Sequence, residues 1–228
     1  MYRPIKTNIP VVKRSLILAV LLGVVSAANA APIYTDDFDL GFSTISLPGD
    51  PDYTNHITFP AAGFLGTRNV QLANYAGNGT DTFDVTGNGS QLLVNGNGTA
   101  SGLLQLSYGN NPSSVIDLSG AGSVSLFVAS NTSTVTAYLG SYTDNYANLS
   151  AVGFTIPAGF SGQKDIYFSN FNNTFDAANA DSLFLVFQVA PGSSLALDKF
   201  TVNAVPEPAS FAALGVGAVA LLRRRKRA

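Results

Sequence analysis

The sequence predicts an all-β body, an antiparallel sandwich or barrel, with a signal helix before it and a short apolar helix after it. Three observations predict the β class. Gly, Asn, Ser and Thr are abundant, with 22 Gly and 11 Pro among 228 residues and only 11% charged side chains. That is the composition of a turn-rich β protein. No window of helix length in the body carries an apolar stripe at the 3.6-residue period, whereas short alternating or apolar runs recur. Turn signals separate those runs roughly every ten residues, the rhythm of an antiparallel sandwich or barrel.

The body extends from Ala31 to Ala204, a length that suits one domain. Strands are predicted at Arg68–Tyr75, Gln91–Asn95, Ser101–Tyr108, Ser123–Ala129, Ser133–Leu139, Ala151–Ile156, Lys164–Phe168, Ser182–Val189 and Ser194–Val202. In Ser133–Leu139 the apolar Val135, Ala137 and Leu139 fall on one face at period two. Ser182–Val189 is apolar nearly throughout, which predicts a central strand buried on both faces.

A Gly-Asn-Gly repeat punctuates the first half, at Gly77-Asn78-Gly79-Thr80, Gly87-Asn88-Gly89-Ser90 and Gly96-Asn97-Gly98-Thr99. Asn-Gly is the strongest short hairpin signal, so these read as hairpin turns joining consecutive strands. The first copy continues to Asp81 and Phe83 and approaches a calcium-binding nonapeptide, but Gln91 and Ser101 stand where the later copies need Asp.

Charge and rare residues exclude whole classes of function. Between Ala31 and Val205 the basic residues are Arg68, Lys164 and Lys199, against thirteen Asp and no Glu, a net charge of −10. A nucleic-acid binder needs a basic footprint, and this body has none. There is no Cys, which removes disulfides, Cys-based zinc sites and a Cys nucleophile. The single His, His56, sits in the Pro- and Asp-rich stretch after Gly49 and reads as a surface-loop residue. No G-x-S-x-G elbow accompanies it, and Asp50 and Asp52 around Pro51 are turn chemistry. Tyr138, Tyr142 and Tyr146 surround a loop rich in Asp and Asn. Exposed tyrosines with such neighbours can stack on sugar rings and bond hydroxyls, so they are the candidate glycan contacts.

The two ends read as addresses. Residues 1–30 have the layout of a secretory signal peptide: a basic segment holding Arg3, Lys6, Lys13 and Arg14, an apolar run over Ser15–Val25, and small residues at Ala28 and Ala30 that place cleavage before Ala31. Residues 205–228 open on Pro206-Glu207-Pro208, two prolines that hold the chain extended and accessible. An apolar helix over 209–222 follows, about 21 Å long against about 30 Å of hydrocarbon, which suits a transient anchor better than a permanent one. Arg223, Arg224, Arg225, Lys226 and Arg227 close the chain as a membrane stop that stays in the cytoplasm and leaves the body outside the inner membrane.

This tail resembles the PEP-CTERM sorting signal of Gram-negative bacteria, through Pro206, Glu207, Pro208, the short apolar helix and the basic end. The resemblance implies signal peptidase and an exosortase as processing partners, and cleavage at or near the Pro-Glu-Pro. It further implies transient inner-membrane anchoring, delivery to the cell surface or extracellular space, and association with exopolysaccharide in a matrix or biofilm. It covers about a tenth of the chain and is silent on what the body does.

The body resembles jelly-roll sandwiches of the carbohydrate-binding kind, through Asp36-Asp37-Phe38 at its opening, Phe154–Pro157 in the middle and Leu195–Phe200 at its close. The resemblance implies neighbouring first and last strands, which would bring Asp36 or Asp37 towards Asp198 as ligands of a structural calcium ion. The alternative is that these are separate, solvated turn residues. No other cofactor is expected. The function expected is that of a non-enzymatic exported surface or matrix protein. A glycan-binding module is the alternative, and an Asp-based glycoside hydrolase is the least supported.

Overall fold

The computed structural model of the protein describes residues 32–39, 42–48, 54–60, 67–109, 115–172 and 175–205. The expected signal-peptide residues Ala28, Ala30 and Ala31 lie outside the described residues. So do Asp50, Asp52, the Pro206-Glu207-Pro208 motif, the apolar run after it and the basic cluster Arg223–Arg227. Among the described residues no helix is long and apolar enough to cross a membrane.

Residues Pro32–Val205 form one compact unit. Its strands are β1 (Pro32–Asp36), β2 (Phe42–Pro48), β3 (Thr54–Pro60), β4 (Thr67–Ala76), β5 (Thr82–Gly87), β6 (Leu92–Gly96), β7 (Ser101–Tyr108), β8 (Ala121–Asn131), β9 (Val135–Thr143), β10 (Asn148–Ile156), β11 (Gly162–Tyr167), β12 (Ala180–Val189) and β13 (Ser194–Ala204). Short 3-10 turns at Phe168–Asn170 and Ala177–Asn179 are the helical content among the described residues.

Two antiparallel sheets result. One has the order β11-β8-β13-β6-β5-β2, with β1 also pairing β13; the other runs β10-β9-β12-β7-β4-β3. Alternation decides which face each strand turns inward. In β4, Arg68, Val70, Leu72 and Asn74 are buried while Asn69, Gln71 and Ala73 stay partly exposed. Phe83 and Val85 in β5 and Leu92 and Val94 in β6 follow the same rule. These side chains join Leu104, Leu106, Leu126, Leu185, Phe187 and Val202 in a single core shared by both sheets. Each fully buried Leu, Val or Phe contributes about 1.5–3 kcal/mol. The packing is close enough that a Cβ on Gly102 would stand 2.6 Å from the Phe83 ring of the opposite sheet.

Nine strands fall at the predicted ranges, and four more, β1, β2, β3 and β5, lie outside those ranges. His56 is a correction: it lies in β3, opposite Gln71 of β4, and not in a surface loop. β12 is central in its sheet as expected, between β9 and β7. It is not buried on both faces, because Phe184 and Val186 are half-exposed and Gln188 is exposed on the outer side.

The Gly-Asn-Gly reading is correct for one copy of three. The middle copy joins β5 to β6, which pair as a hairpin. The first joins β4 to β5 and the third joins β6 to β7, and in both cases the two strands belong to different sheets. The first two copies nonetheless share their turn chemistry, whereas the Asn97 Nδ2 of the third donates to Thr82 and Asp84. The Asn78 Oδ1 accepts from the backbone N–H groups of Thr80 and Asp81, and the Asn88 Oδ1 accepts from those of Ser90 and Gln91. Gly79, Gly89 and Gly98 all take positive φ, of 80°, 86° and 58°. Asp81 accepts from the Thr99 backbone N–H and hydroxyl and so ties the first turn to the third. Those bonds hold its carboxyl below the ordinary value of 3.8.

Candidate functional site

Three groups of sequence-predicted residues can be placed. The first is Asp36, Asp37 and Asp198. The first and last strands do pair, with Asp36 opposite Phe200. The side chains have other partners, however. Asp36 is 2% exposed and receives Arg68 Nη1 at 2.6 Å on each oxygen, the Tyr108 hydroxyl at 2.8 Å and the Phe38 backbone N–H at 3.1 Å. A guanidinium thus occupies the carboxylate expected to bind a cation. Asp37 accepts from the Asp39 backbone N–H, and its negative charge is the main reason the Asp39 carboxyl is raised above its ordinary value. Asp198 accepts from Gln91 Nε2 at 2.7 Å. Among the described residues no three acidic or His side chains are grouped to hold a metal ion.

The second group is the tyrosines, of which Tyr142 and Tyr146 lie close together at the β9–β10 connection. The β9–β10 connection, Asp144–Ala147, is tight because Asp144, Asn145 and Tyr146 all adopt left-handed φ, of 57°, 55° and 66°. Side chains rarely accept that conformation, at a cost of about 1–2 kcal/mol per residue. Asp181 Oδ2 accepts from the Tyr146 backbone N–H at 2.9 Å and pins the turn. Burial and the neighbouring Asp181 charge both push the Tyr146 phenol above its ordinary value.

Beside this turn lies a cavity of about 1010 Å³, lined by Val115, Thr143, Asp144, Asn145, Ala147, Asn148, Leu149, Ser150, Asp176, Asn179 and Asp181. The Tyr142 and Tyr146 rings stand 5.7 Å apart, and Tyr142 is 5.4 Å from Phe184. Phe184 lies over Gly140, where a Cβ would overlap its ring. Val115 and Leu149 add exposed apolar surface to the lining. The lining itself is made of carboxylate, amide and hydroxyl groups with Val115 and Leu149; the Tyr142 and Tyr146 rings neighbour it along the chain and are not part of it.

Tyr138 is not part of this cluster. It is 41% exposed on β9, four residues from Tyr142 and about 13 Å along the strand, beside Gly153. Asp176, Asn179 and Asp181 were missed by sequence reasoning. They reach the cavity through the register Ala180↔Thr143 and the bridge Ile116↔Ala180, long-range pairings that no local motif encodes. Each cavity carboxylate also accepts hydrogen bonds that brace a turn. Asp144 accepts from Asn148 Nδ2, Asp176 from the Ala178 N–H and Asn179 Nδ2, and Asp181 from the Tyr146 N–H.

The third group is the tail. The last described residues are built into the sandwich: Ala204 pairs Ala121, and the Val205 N–H donates to the Gly120 carbonyl at 2.9 Å.

Comparison with known proteins gives two findings. Residues 204–227 match the PEP-CTERM protein-sorting motif. No curated protein matches the chain. Among solved structures, weak similarities join the body to carbohydrate-binding modules. The family 11 module of the cellulosomal cellulase Lic26A-Cel5E of Clostridium thermocellum is 15% identical, over 77% of this chain and 96% of that one, with a TM-score of 0.40. The Clostridium thermocellum module in complex with a beta-1,3-1,4-mixed-linked tetrasaccharide is 16% identical, over 78% and 100%, also with a TM-score of 0.40. BiXyn10A CBM1 is 8% identical, over 77% and 99%, with a TM-score of 0.41.

Proposed function

We propose that this chain is an exported surface or matrix protein whose tail is processed by an exosortase and whose sandwich body works without catalysis. The observation that carries the reading is the position of the sorting motif, which begins at residue 204, on the last residue of the last strand. The chain therefore passes directly from folded body to sorting signal. Signal peptidase and the exosortase are its processing partners, the inner membrane holds it transiently, and exopolysaccharide is its surroundings. A body with a net charge of −10 stays soluble in a polar matrix. The non-catalytic part rests on the cavity carboxylates, each engaged in bracing a turn. Replacing Pro206-Glu207-Pro208 by three alanines is the test. The protein should accumulate in the inner membrane, and normal delivery of that variant removes the sorting reading.

A second reading is favoured by the Tyr142–Tyr146 pair beside the polar cavity: the body binds a glycan there. The purified body should bind the producing cell's exopolysaccharide, and Tyr142→Ala should abolish that binding, with a melting temperature lowered by the ring contacts it loses to Tyr146 and Phe184. Equal binding by that variant assigns any glycan affinity to another face.

A further inference from the structure

We infer that the end of β13 is a latch that must open before the sorting motif can be processed, so that the folded body sets the rate of its own release. This inference rests on the proposed processing of the tail. β13 is an inner strand, flanked by β8 along most of its length and by β6 and β1 on its other side. Its pairing continues into the motif, with a register irregularity between Asn203 and Ala204. Asn203 is opposite Ser123, Ala204 is opposite Ala121, and the Val205 N–H is already used by the Gly120 carbonyl. Val205 lies flat against Gly122: a Cβ there would stand 3.2 Å from the Val205 Cα, so glycine permits the approach.

The consequence follows from donor arithmetic. Enzymes that cut or transfer an extended segment hold it by main-chain hydrogen bonds on both sides of the bond. Each residue has one N–H to give, and prolines have none. Pro206 and Pro208 offer no donor, and the Val205 donor is committed to the sheet. Glu207 alone remains between Val205 and Pro208. It stands at most about 7 Å of extended chain from Val205. An active site that grips the N-terminal side of Pro-Glu-Pro must therefore take Val205, and then Ala204, out of the ladder.

Two full-length variants test the latch in a cell that carries the processing enzyme, with pulse-chase conversion of precursor to mature protein as the readout. The first inserts a Gly-Ser spacer of six residues between Val205 and Pro206, giving free donors without touching the body. The second is Gly122→Ala, whose Cβ would stand 3.2 Å from the Val205 Cα and so crowd the end of the strand. Both should speed conversion by about three- to tenfold, the factor that one backbone hydrogen bond is worth. An unchanged rate in the spacer variant overturns the latch and leaves the sorting reading intact. Slower conversion in the spacer variant also overturns it, because the body would then be aiding recognition. If neither wild type nor spacer variant is converted, the sorting reading fails and the latch with it.

Discussion

Arg68 and Asp36 form an ion pair between the two sheets, with Nη1 2.6 Å from each carboxylate oxygen and side-chain exposures of 1% and 2%. Arg68 projects from β4 and Asp36 from β1, the strand that pairs with β13. The guanidinium also lies 5.0 Å from the Phe38 ring, while its Nε and Nη2 have no partner. Buried pairs of this kind add little net stability, yet breaking one strands a charge at a cost of about 3–5 kcal/mol. Asp36→Ala should therefore lower the urea midpoint severely. The double variant Asp36→Leu/Arg68→Met should recover much of that loss. A double variant as unstable as the single one shows that the pair itself holds the sheets together.

Tyr108 predicts an alkaline limit on stability. Its hydroxyl donates to Asp36, its ring stacks on Phe200 at 5.2 Å, and burial is the main reason its phenol is raised well above 10.0. The folded state resists ionisation that the unfolded chain accepts. The contribution is full below pH 10 and is lost progressively as pH rises above it. The melting temperature should thus fall steeply above pH 10. Tyr108→Phe should flatten that fall at a cost of about 1 kcal/mol at neutral pH from the lost hydrogen bond. An unchanged alkaline slope in the variant assigns the effect to other groups.

The three repeated turns predict an ordering of glycine substitutions. Gly79 has positive φ but open space around its Cβ position, so Gly79→Ala should cost about 1 kcal/mol of backbone strain. At Gly98 the same strain meets the Asp81 carboxylate, which the added Cβ would overlap. Gly98→Ala should destabilise clearly more, and chemical-denaturation midpoints will rank the two. The Asp81 bonds to Thr99 are fully in force above its ordinary pH of 3.8 and fade as pH falls through the lowered folded value. Acidification should therefore narrow the gap between the two variants.

These turns also show what was legible in the sequence and what was not. The strands with strong period-two patterns, such as β7 and β9, were legible because alternation is a local property. β5 has only Phe83 and Val85 to alternate, between two turn signals, and β3 ends on a Pro after an Asp-Pro-Asp stretch. Local breakers concealed both strands. Three near-identical turns do different work because the partner of the next strand, not the turn, decides between hairpin and crossover. Tyr142 and Tyr146, next to the cavity, were legible as aromatic residues of a polar loop. Asp176, Asn179 and Asp181 were not, because a register more than thirty residues distant carries them there. Asp36 was legible as a carboxylate near the last strand, but its partner Arg68 projects from the other sheet.

The strained turn beside the cavity gives the sharpest separation of stability from function. Tyr146 holds φ 66°, a conformation that glycine takes freely and tyrosine does not. Tyr146→Gly removes about 1–2 kcal/mol of backbone strain and loses a ring contact to Tyr142 worth about 0.5–1.5 kcal/mol. The two nearly cancel, so the melting temperature should stay within a few degrees of wild type. The Asp181 bond to the residue-146 N–H is a backbone bond and survives the change. Glycan binding should disappear, because one of the two rings is gone while the polar lining stays in place. Isothermal titration against the exopolysaccharide checks it, and undiminished binding by Tyr146→Gly would take the tyrosine pair out of the site.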